Sequence, residues 1–501
     1  GELDPTSPGP EIATCQSATG NLIVFSAKGK VLWTSADPAI KCVYGGPQLG
    51  DVNGDGTPEL LVRYTVVDAK THKSTFAGRA SAYAYPTADY SAFSDVDGDG
   101  DLDIVGGNVV YANDGTGKFG VLWDGTTFSP AMADGYIAVA DLDLAPDGIP
   151  EIAVVSSLEQ SLHTIRVVNA KTGATKWGPI STNMGGETET GGGPPTIADF
   201  DGDGKPEIAM AGGYTYNVFD GATGKVKWSN STTDHSSRVT GSSVFDFDGD
   251  GKAEVVYADE RNLHVYDGKV GTELLTLCNP SGTLWEYPLV ADVDGDDQAE
   301  IVLVANDMWW GCGAGLAANS GPTGLRVIGS KGGNWVRTRR IWNEHTYHVT
   351  NVNDDATIPK KEALNWKTKG LNDFRQNVQP KGLFDAPNAI LEIEGTCSSP
   401  ATIRGRVRNV GQATLPAGVV VGFYSGDPKG TKTKIGTGTT AKAILPGGFD
   451  IVEIKWDAPA DYRTGALPVF GVVDDGSPAH AWHECKTDDD TSALFRAKCT
   501  K

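Results

Sequence analysis

In the stretch DFDGDGKPE, Asp199, Asp201 and Asp203 stand at alternate positions and Glu207 follows four residues later. Carboxylates crowded in this way repel one another unless a cation sits among them. Oxygen ligands from positions one, three and five, a backbone carbonyl at seven and a carboxylate at nine would surround a hard cation with six or seven oxygens, which suits Ca²⁺. Mg²⁺ would keep more of its water, and Zn²⁺ would ask for His or Cys. The glycines at positions four and six let the backbone turn tightly around the ion.

The same pattern returns along the chain, beginning at residues 51, 95, 141, 199, 246 and 292. The ligand sets it predicts are Asp51, Asn53, Asp55, Thr57 and Glu59 in the first loop, and Asp95, Asp97, Asp99, Asp101 and Asp103 in the second. Asp141, Asp143, Asp147 and Glu151 form the third set, in a loop lengthened by two residues, where binding is expected to be weak or absent. Asp199, Asp201, Asp203, Lys205 and Glu207 follow, then Asp246, Asp248, Asp250, Lys252 and Glu254, then Asp292, Asp294, Asp296, Gln298 and Glu300. Position seven enters each set through its carbonyl alone. About five ions are expected, with a sixth at the lengthened loop. An EF-hand is excluded, because its twelfth position must be a bidentate Glu, and here Val62 and Met210 stand there.

A repeat of about 45 residues has the length of a four-stranded propeller blade. After the loop at 199 come EIAMAGG, YTYNVFD, a GATG turn and KVKWSN, short segments that alternate or cluster apolar residues between Gly and Asp, which is strand grammar. The tryptophans that follow such turns, Trp33, Trp177 and Trp228, are expected to pack between blades. At the start of the chain PGPEIATC matches only the second half of the repeat, and YHVTNVNDDATIP, from 347, resembles the first half. The expected fold is therefore all-β, a seven-bladed β-propeller over residues 1–380, closed by a late strand within 345–359 that joins early ones and so removes exposed sheet edges. Trp342, Trp366 and Phe374 would anchor the segment that wraps back. Glu344, His345 and His348 spell an HxxH pattern without a third ligand, a weaker case for a metal than for packing.

The net charge of −22 is matched by the 25 acidic residues of the six loops, and it argues against a nucleic-acid partner. No apolar run is long enough to span a membrane, and no basic-then-apolar leader opens the sequence, so for an exported chain either the leader was removed or the sequence begins after it. Seven cysteines without a CxxC spacing suit an oxidising compartment. Cys15 with Cys42 and Cys278 with Cys312 are sequence-local pairs, and among Cys397, Cys485 and Cys499 one is left over or pairs outside the chain.

The loops, their period and the GATGKVKW turns resemble FG-GAP repeats, the blades of the integrin alpha-chain propeller and its bacterial relatives. That resemblance implies seven blades, calcium between the first and second strands of a blade, and a bacterial protein that is secreted or held at the cell surface. After a linker at 381–386, residues 387–501 lose the aspartate loops and read as short strands, which suggests an immunoglobulin-like β-sandwich. The segment RVRNVGQATLPAGVVVGFYSGDPKG resembles the bacterial cell-adhesion-related (CARDB-like) domain, a spacer or stalk.

Strands alternate in direction, so the calcium loops share one face and longer loops the other. On that opposite face Trp285, Tyr287, Trp309 and Trp310 could stack on a sugar ring or a partner side chain, or could instead cover the central channel. The expected function is a non-enzymatic calcium-binding adhesion or interaction protein, with a cell-surface or extracellular protein or glycan as partner. A lectin is the first alternative. A polysaccharide lyase or hydrolase is the second, although the sequence holds neither GxSxG nor HExxH.

Overall fold

In a computed structural model of the chain, residues 1–4, 6–16, 19–42, 46–79, 91–157, 163–182, 191–249, 251–296, 298–306, 321–331, 335–379, 387–411, 415–473, 475 and 489–499 are described. Up to residue 328 they form seven small antiparallel sheets in succession, over 12–34, 48–77, 92–124, 136–181, 196–231, 242–278 and 289–328. Within each sheet the strands pair in chain order, four in the middle five sheets and three in the first and last.

The fifth sheet shows why the sequence folds this way. Thr196–Ala198, Glu207–Ala211, Thr215–Asp220 and Val226–Ser231 pair in turn, with Ile197 opposite Ile208, Ile208 opposite Phe219 and Val218 opposite Trp228. The turn into the last strand is set by Asp220, whose Oδ1 accepts from the Thr223 backbone N–H and hydroxyl at 2.8 and 2.6 Å. Gly224 follows at φ 70°, and a side chain there would run into the Trp177 ring of the preceding sheet.

Burial grades across the sheet. The first two strands are wholly buried and the third nearly so, while the last presents one buried residue and otherwise open or half-open ones. The first strands of sheets two and three lie beside each other, as do those of four and five, five and six, and six and seven. On the outer side, Trp123, Trp177 and Trp228 donate through Nε1 to Ala170, Gly221 and Gly268 at 2.7, 2.8 and 2.6 Å, each reaching the turn of the next sheet. Trp33 does the same work by stacking on His72, with ring centroids 4.4 Å apart. The tryptophans after the turns are thus inter-sheet packing, as the sequence led us to expect.

Residues 339–378 run against the first strands. Phe374 bridges to Ile197 and Gln376 to Val244, Asn377 Nδ2 donates to the Val290 carbonyl at 2.8 Å, and Arg375 Nη1 donates to the Ile137 carbonyl at 3.1 Å. Leu49 donates its backbone N–H to Glu344 at 2.9 Å, and Thr346 donates to Gln48. One segment therefore ties together five sheets. Residues 345–359, expected as a closing strand, instead carry a 3-10 turn at Val349–Asn351 and no strand. Ile358 packs against the cluster of the buried Leu3 with Leu22, Leu49 and Leu60 of the first two sheets. The Asn and Asp of this stretch favour turns that bond their own backbone, as Asp355 does with Thr357 at 3.0 Å. Phe374 and Trp366 are buried anchors, and Trp342 stacks on Tyr347.

Residues 389–473 build two three-stranded antiparallel sheets, whose inward side chains, among them Leu391, Ile403, Val421, Phe423, Val452 and Val469, share one core. A disulfide joins Cys397 to Cys499 and another joins Cys15 to Cys42. Cys278 is also disulfide-bonded; its expected partner Cys312, the leftover Cys485 and the linker 381–386 fall outside the described residues.

Candidate metal centre

All six loops join the first strand of a sheet to its second, and all are built on one plan. Position one accepts from the backbone of the turn ahead of it: Asp95 Oδ1 and Oδ2 take the N–H groups of Gly98 and Gly100 at 2.8 Å each, and Asp199 takes those of Gly202 and Gly204 at 2.8 Å. Asp51, Asp246 and Asp292 repeat the arrangement with Gly56, Gly249 and Gly295. Position five accepts from the N–H of position seven, as Asp55 does from Thr57 and Asp296 from Gln298, at 2.8 and 2.9 Å.

Position nine closes the cradle. Its carboxylate accepts the N–H of position two in every loop, at 3.1 Å for Glu59, 3.0 Å for Asp103 and Glu151, 2.9 Å for Glu207 and Glu254, and 3.1 Å for Glu300. Strand pairing fixes this residue, because it opens the second strand, and all six copies are buried. Burial pushes Glu59, Glu151, Glu207 and Glu300 up to about 7 and Asp103 up to about 8. At Glu207 the Lys227 ammonium pulls the other way.

These hydrogen bonds turn the remaining carboxylate oxygens toward one another. Ligand atoms converge to within 4.8 Å in Asp95, Asp97 and Asp99; in Asp141, Asp143 and Glu151; in Asp199, Asp201 and Asp203; in Asp246, Asp248 and Glu254; and in Asp292, Asp294 and Glu300. The loop at 51, where Asn53 replaces an aspartate and donates to Glu59 at 2.7 Å, forms no such group among the described residues. The lengthened loop at 141 does converge, because its extra residues fall after Asp143 and leave Asp141 and Glu151 next to and at the paired strand ends. Asp250 lies outside the described residues. The donor set is all oxygen, so a hard divalent cation fits it.

Two basic side chains enter these cradles that the sequence reading did not assign. Lys227 Nζ lies 2.7 Å from both Asp201 Oδ2 and Glu207 Oε1, and Lys176 Nζ lies 2.6 Å from Asp143 Oδ2 and 3.3 Å from Glu151 Oε1. Their only signal was a lysine immediately before the tryptophan, in TKW and VKW.

On the opposite face the proposed stacking residues are engaged within the fold. Tyr287 is buried, its hydroxyl donates to the His345 carbonyl at 2.6 Å, and its ring meets Trp342 and His345, so it offers no open ring face. Trp285 is half-buried, and its Nε1 donates to the Tyr136 hydroxyl at 2.7 Å, joining the seventh sheet to the fourth. Trp309 and Trp310 lie outside the described residues. His348 is buried on Glu362, which holds it up to about 8, and His345 bonds the Trp285 carbonyl at 3.1 Å. Both histidines therefore have structural partners.

Residues 246–303, which contain the last two loops, match the family described as FG-GAP-like repeat. No curated protein matches the chain. Among solved structures, the crystal structure of the V. cholerae biofilm matrix protein Bap1 is similar in fold, with a TM-score of 0.58 at 20% identity, over 74% of this chain and 83% of that one.

Proposed function

We propose that the chain is an exported, calcium-binding, non-enzymatic adhesion or interaction protein. In this reading the seven sheets are the blades of a seven-bladed β-propeller, and the C-terminal unit is an immunoglobulin-like, CARDB-like spacer. The observation that carries it is the rebuilding of one carboxylate cradle at the same point of successive sheets, between first and second strands. The FG-GAP-like match and the likeness to a biofilm matrix protein support an extracellular role. The converging carboxylates would hold the ions, and bound Ca²⁺ would supply the positive charge that lets such groups share one loop. Calcium is then a brace, and a partner, a cell-surface or extracellular protein or glycan, binds elsewhere on the rigid scaffold.

A ligand that binds only the native state stabilises it by about 2.7 kcal/mol per site at a hundredfold excess over Kd. Calorimetry in calcium and in EDTA should therefore show a clear fall in Tm on chelation. An unchanged Tm, with metal analysis finding the loops empty in calcium, would sink the calcium reading. Glycan arrays and surface-protein pull-downs in the two conditions test the rest: sugar-inhibitable binding would make it a lectin, and turnover of a polysaccharide would make it an enzyme.

A further inference from the structure

We propose that two of the six loops carry their own cation. The ammonium groups of Lys176 and Lys227 stand in the cradles at 141–151 and 199–207, so calcium binding belongs to the other converging loops, at 95, 246 and 292. The inference rests on the calcium reading above and narrows it.

The lysines are placed by a β-bulge. In the fifth sheet the register passes from Phe219 opposite Val226 to Val218 opposite Trp228, which leaves Lys227 as the extra residue. In the fourth it passes from Val168 opposite Thr175 to Val167 opposite Trp177, which leaves Lys176. A bulge re-aims the side chain of its extra residue, and here both point back to their own sheet's loop. Each meets the same two positions, the third and the ninth of the loop, at the distances given above. The same bulge in the first, second and sixth sheets holds Leu32, Thr75 and Leu274, and in the third sheet the bulge falls at Leu122. None of these brings a charge.

Other basic groups touch loops differently. Lys70 reaches only Asp55, with half of its side chain exposed, and Arg340 bonds Asp292 from a side chain that is 62% exposed. Neither forms an ion pair with a position-nine carboxylate among the described residues. Lys227, only 24% exposed, lies against a Glu207 that is 2% exposed, so its charge answers a buried carboxylate directly. A divalent ion entering that cradle would meet a like charge and would need the oxygens the ammonium already holds. Asp141 Oδ1 and Asp201 Oδ1, buried and without a hydrogen-bond partner, are oxygens an ion would gain once the lysine is gone.

The test counts calcium ions bound to the full chain after chelator treatment, by native mass spectrometry and titration calorimetry with Ca²⁺ alone. Lys176→Met and Lys227→Met should each gain one ion. Asp201→Asn in the unaltered chain should leave the count unchanged, while Asp97→Asn should lower it by one. The proposal is overturned if Asp201→Asn loses an ion, or if folded Lys→Met variants gain none. Should those variants fail to fold, the Asp201→Asn comparison decides. A chain that binds no calcium in any of these forms refutes the calcium reading itself; a parent count lowered by Asp97→Asn keeps that reading whatever the lysine variants do.

Discussion

Replacing Arg375 by Met should loosen the whole succession of sheets. The residue is fully buried at φ 63°, a left-handed backbone that a non-glycine residue adopts only when its surroundings hold it there. Its Nη1 donates to the carbonyls of Ile137 and Pro195, in the fourth and fifth sheets, and its Nε to His345 at 3.1 Å. The His345 carbonyl would keep the Tyr287 hydroxyl, but the Ile137 and Pro195 carbonyls would lose the guanidinium donor they share. A buried acceptor left unsatisfied costs roughly 1–3 kcal/mol, so the pair amounts to about 4 kcal/mol, a large part of the about 5–15 kcal/mol that holds a folded protein. At about 1–2 °C per kcal/mol for a unit of this size, calorimetry in saturating calcium should show Tm falling by about 5 °C. Arg375→Lys should recover little, because a single ammonium cannot span carbonyls from two sheets. A fall below about 1 °C, with unfolding still cooperative, would refute this account of the segment as the tie between sheets.

Other outcomes can be checked in parallel. With calcium chelated, Glu59 and Glu300, whose folded values are raised from 4.5 to about 7, and Asp103, raised from 3.8 to about 8, hold protons more tightly folded than unfolded. Their contribution is complete below about pH 4 and is lost as pH rises through 7–8, so Tm in EDTA should fall between pH 5 and 8; a rising profile contradicts it. Trp228→Phe removes the donor to the Gly268 carbonyl and should cost about 1–2 kcal/mol, and Trp123→Phe at a different sheet junction should add to it independently. Cys397→Ser opens a disulfide spanning 102 residues, for which loop entropy predicts a loss of about 5 kcal/mol from the C-terminal unit alone. A C-terminal transition unmoved by reduction would refute that.

How much of this the sequence revealed depended on distance along the chain. The cradles were legible because every bond that shapes them is local: Glu207 reaches Phe200 seven residues away, and Asp199 reaches Gly204 five away. The inter-sheet tryptophans were legible because each crosses only one repeat period. The lengthened loop at 141 looked impaired, since spacing alone does not show that the extra residues fall after Asp143 and leave Asp141 and Glu151 next to and at the paired strand ends. Lys176 and Lys227 were passed over because a bulge is a feature of register, and register is invisible until the strands are paired. Residues 345–359 were read as a closing strand within a segment that wraps back, but nothing local announces that Arg375 meets Ile137, 238 residues earlier. For Tyr287 and Trp285 the sequence left stacking on a ligand and covering the channel both open for the same reason: their partners, His345 and Tyr136, lie 58 and 149 residues away.

The two lysine-bearing cradles are also tied to the segment 339–378, and their own cations set an order for metal-dependent loosening. Asn372 exchanges a pair of hydrogen bonds with the Asp141 backbone at 2.9 and 2.7 Å, Phe374 exchanges a pair with Ile197 at 3.0 and 2.9 Å, and Arg375 bonds both sheets. If the fourth and fifth sheets are neutralised by Lys176 and Lys227, chelation leaves their charge balance untouched and removes the counter-charge only from the loops at 95, 246 and 292. Self-repulsion then rises on either side of an intact pair of sheets. Hydrogen exchange in EDTA should therefore accelerate in 92–124, 242–278 and 289–306, while 136–157 and 196–231 stay protected. Exchange that rises equally in all five sheets would mean that the fourth and fifth depend on metal as the others do.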